Sequence, residues 1–267
     1  MELTPAQLEQ FYREGYIFIP DAFSPEEVDL LRKAAADVFA TQRPEIWREK
    51  SGVPRTAFAC HTYNEVCAIL GKHPRLVRPV EQVFKETVYM HQFKINAKAA
   101  FTGDVWQWHQ DFITWHNDDG MPEPRAMNIA VFLDDVLPIN GPLMLIPRSH
   151  EQGQIEAAHD TETTAYPLWT LDNATVEKLV DAGGIIAPTG KAGGLLMFHG
   201  NLVHGSAGNI TPYPRKIVYL TLSAVSNAIV KPTRPEWIAH TDFTPITPVA
   251  DDALLTYTRD SLSGANK

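Results

Sequence analysis

Cysteine is nearly absent from this 267-residue chain; the two it has, Cys60 and Cys67, sit in the segment CHTYNEVC. That spacing matches no common zinc pattern, and so low a count excludes a disulfide scaffold. Free thiols in a cytoplasmic protein are the expectation. Basic charge is also in short supply. Lys and Arg number 23 against 32 Asp and Glu, a formal net charge of −9. The chain therefore has no surplus of cations with which to displace counterions from nucleic acid or to hold an anionic membrane surface. Long hydrophobic runs are missing as well. The longest, such as KIVYLTLSAV, suits a buried strand and is far too short to cross a bilayer. The opening MELTPAQLEQ is too polar and acidic for a signal peptide.

What is present is an ordinary globular composition, 44% hydrophobic and 21% charged with 20 Pro and 16 Gly, in a chain long enough for one large core or two small ones. LTPAQLEQFYREG carries apolar residues at helical spacing, with Thr4 as N-cap, Pro5 in the first position and Gly15 as the stop. YIFIP is a short apolar run ended by Pro20. SPEEVDLLRKAAADVFA opens on Ser24 and Pro25, has acids in its first turn, and repeats an apolar face through Val28, Leu31, Ala35 and Phe39. Signals from Thr41 to Lys72 are mixed, with a helix expected near NEVCAILGK.

From Val88 onward the period changes to two. Strands are expected in VYMHQFKINAK, VWQWHQDF, AMNIAVFLDD, PLMLIPRS, GGLLMFHG with LVHGSA, and KIVYLTLSAV, a pattern that suggests a sandwich or barrel. The expected organisation is one domain over residues 1–267. A mainly helical support (1–85) precedes the β core (86–230), and a C-terminal segment (231–267), rich in Pro and Thr, wraps the surface. Between IPRSH and GGLLMFHG lies an insertion, about 151–183, of a length that usually marks a lid or binding loop.

The densest chemistry lies in WQWHQDFITWHNDDGMP, Trp106 to Pro122. His109 and Asp111 stand at i and i+2, so on a strand both would face the same way. A His-x-Asp pair alone is a common incidental pattern and needs a third ligand from elsewhere. His204 in HGNLVHGSAGN is the best candidate, with His199 competing from the same stretch. Two imidazoles and a carboxylate on one side of a metal, with open positions opposite, form the facial triad of non-haem Fe(II) oxygenases. Arg215, at the start of a late strand, could clamp the distal carboxylate of a diacid co-substrate, or could be an unremarkable surface residue.

The order WHQDF, DDVLPINGPLMLIPRSH, HGNLVHGSAGN, Arg215 resembles the phytanoyl-CoA dioxygenase (PhyH) family of Fe(II)/2-oxoglutarate oxygenases, from the first helix to about Val225. NGPLMLIPRSH is a hallmark of that family, and the interval from His204 to Arg215 matches its histidine-to-arginine step, which selects His204 over His199. Within the family, HQDFITWHNDDGMP is most similar to ectoine hydroxylase-like members. Gln110 and Ile113 stand where those have Ser and Glu, and Lys94 where they have Arg.

The resemblance implies a double-stranded β-helix (jelly-roll, cupin-like) core with flanking helices. It also implies Fe(II) on His109, Asp111 and His204, with 2-oxoglutarate and O₂ filling the remaining positions. With Asp111 present there is no vacancy for a halide, so hydroxylation is expected over halogenation. Arg215, Ser206, Asn96 and Asn128 are the implied co-substrate contacts. Gln92, Lys94, Trp106, Trp115 and Phe198 are the implied substrate contacts, and alternation along one strand would turn Gln92, Lys94 and Asn96 inward together. Simple alternation places Gln107, not Trp106, on the His109 face, so Trp106 reaches the site only if that strand starts irregularly.

The expected activity is hydroxylation of an unactivated C–H bond of a small polar or zwitterionic metabolite, giving succinate and CO₂. Desaturation, epoxidation or ring formation at the same iron, or a non-catalytic small-molecule-binding jelly roll, would share these motifs. A zinc hydrolase would not need Arg215. Nothing in the sequence specifies an oligomeric state.

Overall fold

The computed structural model describes residues 1–163 and 166–264, and for 259–264 the backbone only. Helix α1 (Pro5–Glu14) begins with the expected device: Thr4 and Gln7 form a reciprocal capping box, Pro5 follows, and Gly15 closes the helix in the left-handed region at φ 81°. Strand β1 (Tyr16–Ile19) leads to α2 (Pro25–Ala40), capped in the same way by Ser24 and Glu27. The stretch with mixed signals contains β2 (Ile46–Arg48), β3 (Pro54–Phe58) and α3 (Glu65–Gly71). Helix α4 (Pro74–Phe84) follows without any clear sequence signal. Its interior Pro79 argues against a helix, yet burial of Leu76, Val77, Pro79, Val80 and Val83 outweighs the missing backbone donor.

The remaining elements are β4 (Val88–Lys98), β5 (Trp106–His109), α5 (Asp111–Asp119), β6 (Ala126–Phe132) and β7 (Met144–Leu145). They are followed by β8 (Ala158–Asp160), β9 (Leu168–Thr170), α6 (Asn173–Gly183), β10 (Leu195–His199), β11 (His204–Ser206), β12 (Arg215–Ala224) and α7 (Ala253–Gly264). Strands β4, β6, β10 and β12 fall where the sequence places them. Two expectations need correction. The run VWQWHQDF is not one strand, because β5 ends at His109 and Asp111 opens a helix; PLMLIPRS contributes only the two residues of β7.

A seven-stranded antiparallel sheet in the order β1-β10-β6-β12-β4-β3-β2 faces a three-stranded sheet, β5-β11-β7. This is the expected jelly-roll core, and three strands of the N-terminal segment extend the large sheet at both edges. Alternation gives that sheet two different faces. Phe93, Ile95, Met127, Ile129, Val131, Val218 and Leu220 point to one side, into a core shared with α2, α3 and α4. The opposite residues of the same strands face the smaller sheet. Ala130, Phe132, Ile217 and Tyr219 pack there with Leu143, Leu145, Leu196 and Phe198, beside a row of polar side chains. The insertion holds the β8–β9 hairpin and α6, and α6 docks Val176 against Ile113, Ile146 and Val203. No helix among the described residues is long and apolar enough to cross a membrane.

Several histidines outside the polar row are locked neutral by this packing. Burial first, with neighbouring cationic or imidazole groups adding to it, pushes His61 from 6.5 to about 3, and His73 and His199 to about 4. A group whose folded pKa is depressed in this way stays unprotonated in the fold but takes up a proton on unfolding. Stability should therefore fall as pH drops from 6.5 towards 4, by ~1.4 kcal/mol per pH unit for each proton. Urea denaturation across that window should show uptake of at least three protons on unfolding; a stability independent of pH there would contradict the burial assigned to these rings.

Candidate metal centre and active-site cavity

Pairing of β5 with β11 sets His109 directly opposite His204, with ring centroids 4.1 Å apart. Both rings are almost fully buried and each is oriented from behind: His109 Nδ1 lies 2.6 Å from the Gln107 carbonyl and His204 Nδ1 2.9 Å from the Leu202 carbonyl. A carbonyl can only accept, so each Nδ1 carries the proton and each Nε2 presents a lone pair to the same point. Asp111 enters from the first turn of α5, its Oδ1 3.6 Å from His109 Nε2 and its Oδ2 3.3 Å from His204 Nε2. The three ligand atoms all lie within 4.8 Å of one another, the spacing a single ion requires. Burial works against ionisation of Asp111, but His204 and His109 hold its carboxyl well below the usual carboxylate range. Burial and the His204 ring depress His109. A carboxylate with two neutral imidazoles is the protonation state that binds metal.

This centre opens onto a cavity lined by both polar and aromatic side chains. Gln92, Lys94 and Asn96 all line it, as alternation along β4 requires. Trp106, Trp115 and Phe198 line it too. Trp106 does so because β5 carries a bulge: between the pairs His204–His109 and Ser206–Trp106, β11 advances two residues and β5 three. The extra residue turns Trp106 to the ligand side. Phe198 meets His204 edge-on at 4.9 Å. Trp115 packs so closely on Gly200 that a Cβ there would lie 2.8 Å from the indole. His199, the rival ligand, lies outside, accepting from the Asn201 amide beside His150.

Arg215 is buried in the cavity wall, near Tyr219, and burial is the chief cause that depresses its guanidinium. Its Nε and Nη1, and the hydroxyl of Ser206, have no hydrogen-bond partner. A buried guanidinium left unsatisfied costs several kcal/mol, and these donors are free to meet an acid. The donor set thus fits both a ferrous ion and a keto-diacid. Asn96 also lines the cavity and accepts from Thr56 Oγ1 at 3.0 Å. Asn128 does not line the cavity. Its amide reaches the Asp111 carboxylate instead, at 2.7 Å.

Six lining residues escaped the sequence reading: Thr114, Leu143, Tyr166, Leu168, Tyr219 and Arg234. Tyr219 follows from the alternation that places Arg215 inward, a signal that was available. Tyr166 comes from the insertion and Arg234 from the C-terminal segment, and no local pattern marks either. Arg234 binds both oxygens of the fully buried Asp119, which also lies 3.3 Å from His91. The two departures in the HQDF segment have structural uses. The Gln110 side chain bonds Gly153, Asn201 and Ile155, fastening the root of the insertion, while Ile113 gives α6 an apolar seat.

A model of the phytanoyl-CoA dioxygenase (PhyH) family matches residues 11–217. The L-proline trans-4-hydroxylase of Streptomyces griseoviridis is 36% identical over 92% of this chain and 96% of its own length. The ectoine dioxygenase of Nocardia farcinica is 37% identical over 92% of this chain and 88% of its own. The crystal structure of EctD from S. alaskensis with 2-oxoglutarate and 5-hydroxyectoine superimposes with a TM-score of 0.83 at 36% identity, covering 92% of this chain and 87% of that one.

Two substitutions separate the roles within the centre. Under anaerobic conditions Fe(II) and 2-oxoglutarate together should give a visible charge-transfer band. His204→Ala should abolish the band. Arg215→Ala should restore it only at 2-oxoglutarate concentrations ~10–100-fold higher, the loss expected for a charge-assisted pair. A full-strength band in His204→Ala would remove that residue from the metal.

Proposed function

The chain belongs to the phytanoyl-CoA dioxygenase family, and from that premise we propose that it hydroxylates an aliphatic C–H bond of a small amino-acid-like metabolite whose carboxylate meets Lys94. The protein is an Fe(II)/2-oxoglutarate-dependent dioxygenase. When bound, iron, the keto-acid and O₂ supply the oxidising chemistry that turns C–H into C–OH with release of succinate and CO₂. The side chains of the cavity bind, orient and exclude water. Arg215 and Ser206 receive the distal carboxylate of 2-oxoglutarate, with Asn96 beside them and Tyr219 bracing the guanidinium. Trp106, Trp115, Phe198 and Gln92 form the walls of the substrate chamber. The insertion serves as its lid, and Tyr166 and Leu168 from that segment supply part of the lining.

The observation that carries the substrate class is the charge balance of the cavity. Arg234 is matched by Asp119, and Arg215 is taken up by the co-substrate. Lys94 remains. Among the described residues no carboxylate lies within ion-pair reach of its Nζ, which sits 5.8 Å from the Tyr219 ring, and burial pushes its pKa down. A substrate carboxylate would stabilise the charged form. No acid in the cavity is left free for an ammonium group, so the positive end of a zwitterion would face the aromatic rings of Trp106 and Tyr166. L-proline and ectoine, for which two relatives are named, have this character. The free, buried thiols of Cys60 and Cys67 support a reducing, cytoplasmic setting, and the acidic charge balance supports a small-molecule partner over nucleic acid.

Substrate-dependent succinate release should be tested with a panel of amino and imino acids, ectoine and long-chain acyl-CoAs. The amino-acid-like compounds should couple, and Lys94→Met should raise their KM ~10–100-fold with KM for 2-oxoglutarate little changed. Coupling to acyl-CoAs alone would overturn the assignment.

A further inference from the structure

Asp111 is the least constrained of the three iron ligands by its own backbone. The two histidines stand on paired strands, whereas Asp111 opens a helix whose N-cap, Gln110, makes no side-chain capping bond. Register therefore does not orient its carboxylate. Asn128 does have a fixed place: it lies on β6 directly opposite Thr221 of β12, and both side chains are buried. Asn128 Nδ2 donates to Asp111 Oδ2 at 2.7 Å, and Thr221 Oγ1 donates to Asn128 Oδ1 at 3.0 Å. The reverse orientation of the amide would bring an amide oxygen against a carboxylate oxygen, two acceptors with no proton between them.

We propose that Asn128, oriented by Thr221, is a positioning residue that holds Asp111 as a one-oxygen ligand of the iron. By occupying Oδ2, the amide keeps that oxygen off the metal and leaves Oδ1 to bind it. The consequence is functional. A carboxylate bound through both oxygens would take one of the three positions that the keto-acid and O₂ need. Withdrawing charge from Oδ2 also tunes the donor strength of Oδ1, as hydrogen bonds to ligands generally do. The sequence resemblance places Asn128 among co-substrate contacts; the geometry points to the iron ligand instead.

This inference rests on the iron reading, and the experiment separates the two. Fe(II) affinity is measured anaerobically without substrate for wild type, Asn128→Ala, Thr221→Val and Thr221→Ser. The visible spectrum of the Co(II)-substituted proteins, which reports ligand set and geometry, is recorded alongside. Asn128→Ala should weaken Fe(II) binding ~10–100-fold, through loss of the aimed carboxylate, and shift the Co(II) bands, as the freed Oδ2 replaces a water. Thr221→Val should shift both in the same direction by less, and Thr221→Ser should restore wild-type values. Because Thr221→Val replaces a hydroxyl by a methyl of equal size, it decides the matter should Asn128→Ala fail to fold. Wild-type affinity and an unchanged Co(II) spectrum in folded Asn128→Ala or, failing that, Thr221→Val would overturn the proposal while leaving the iron site standing. Failure of the wild type to bind Fe(II) would overturn both.

Discussion

The meeting of His109 and His204 across the β5–β11 ladder is the contact on which the site depends. It joins two segments nearly a hundred residues apart, and antiparallel pairing brings their rings to the same side. A slip of one residue would turn either ring to the opposite face and leave no shared point for a metal. The carbonyls of Gln107 and Leu202 then complete what the register begins, because they settle which nitrogen of each ring is free. Both carbonyls lie two residues before the histidine they orient, so the local chain carries its own device for aiming the ligand.

The large sheet makes such a site tolerable. Its strands are buried on both faces, but the faces are unlike. One meets the helices through branched and aromatic residues; the other carries Gln92, Lys94, Asn96, Lys98, Asn128, Arg215 and Thr221. Desolvating that polar row is costly, and the fold offsets part of the cost internally. Lys98 donates at 2.6 Å to the carbonyls of Asp104 and Ala207, tying the entry of β5 to the exit of β11. Asn96 pairs with Thr56, and Asn128 with Thr221 and Asp111. The groups left over, Arg215, Ser206 and Lys94, are the ones facing open space. Under the proposed function these donors serve two acids, the keto-acid at Arg215 and the substrate at Lys94.

Much of this was legible in the sequence because the long strands obey a strict period. VYMHQFKINAK and KIVYLTLSAV show their inward and outward residues plainly, and capping boxes mark the first two helices. The failures have physical causes. The His-x-Asp spacing reads as a strand, yet Phe112 donates its amide to Gly200 and the chain turns into a helix there, a tertiary contact that overrides local pattern. Trp106 faces inward through a bulge that no residue type announces. Arg234 is positioned by Asp119, more than a hundred residues away, and Asn128 by a strand neighbour rather than by its own surroundings.

The most direct test is X-ray absorption at the iron edge on the anaerobic Fe(II)–2-oxoglutarate complex, with metal content measured on the same sample. The account predicts one iron per chain, bound by two imidazoles and otherwise by oxygen. A bound iron with fewer than two imidazoles, or no stoichiometric iron at all, would contradict it.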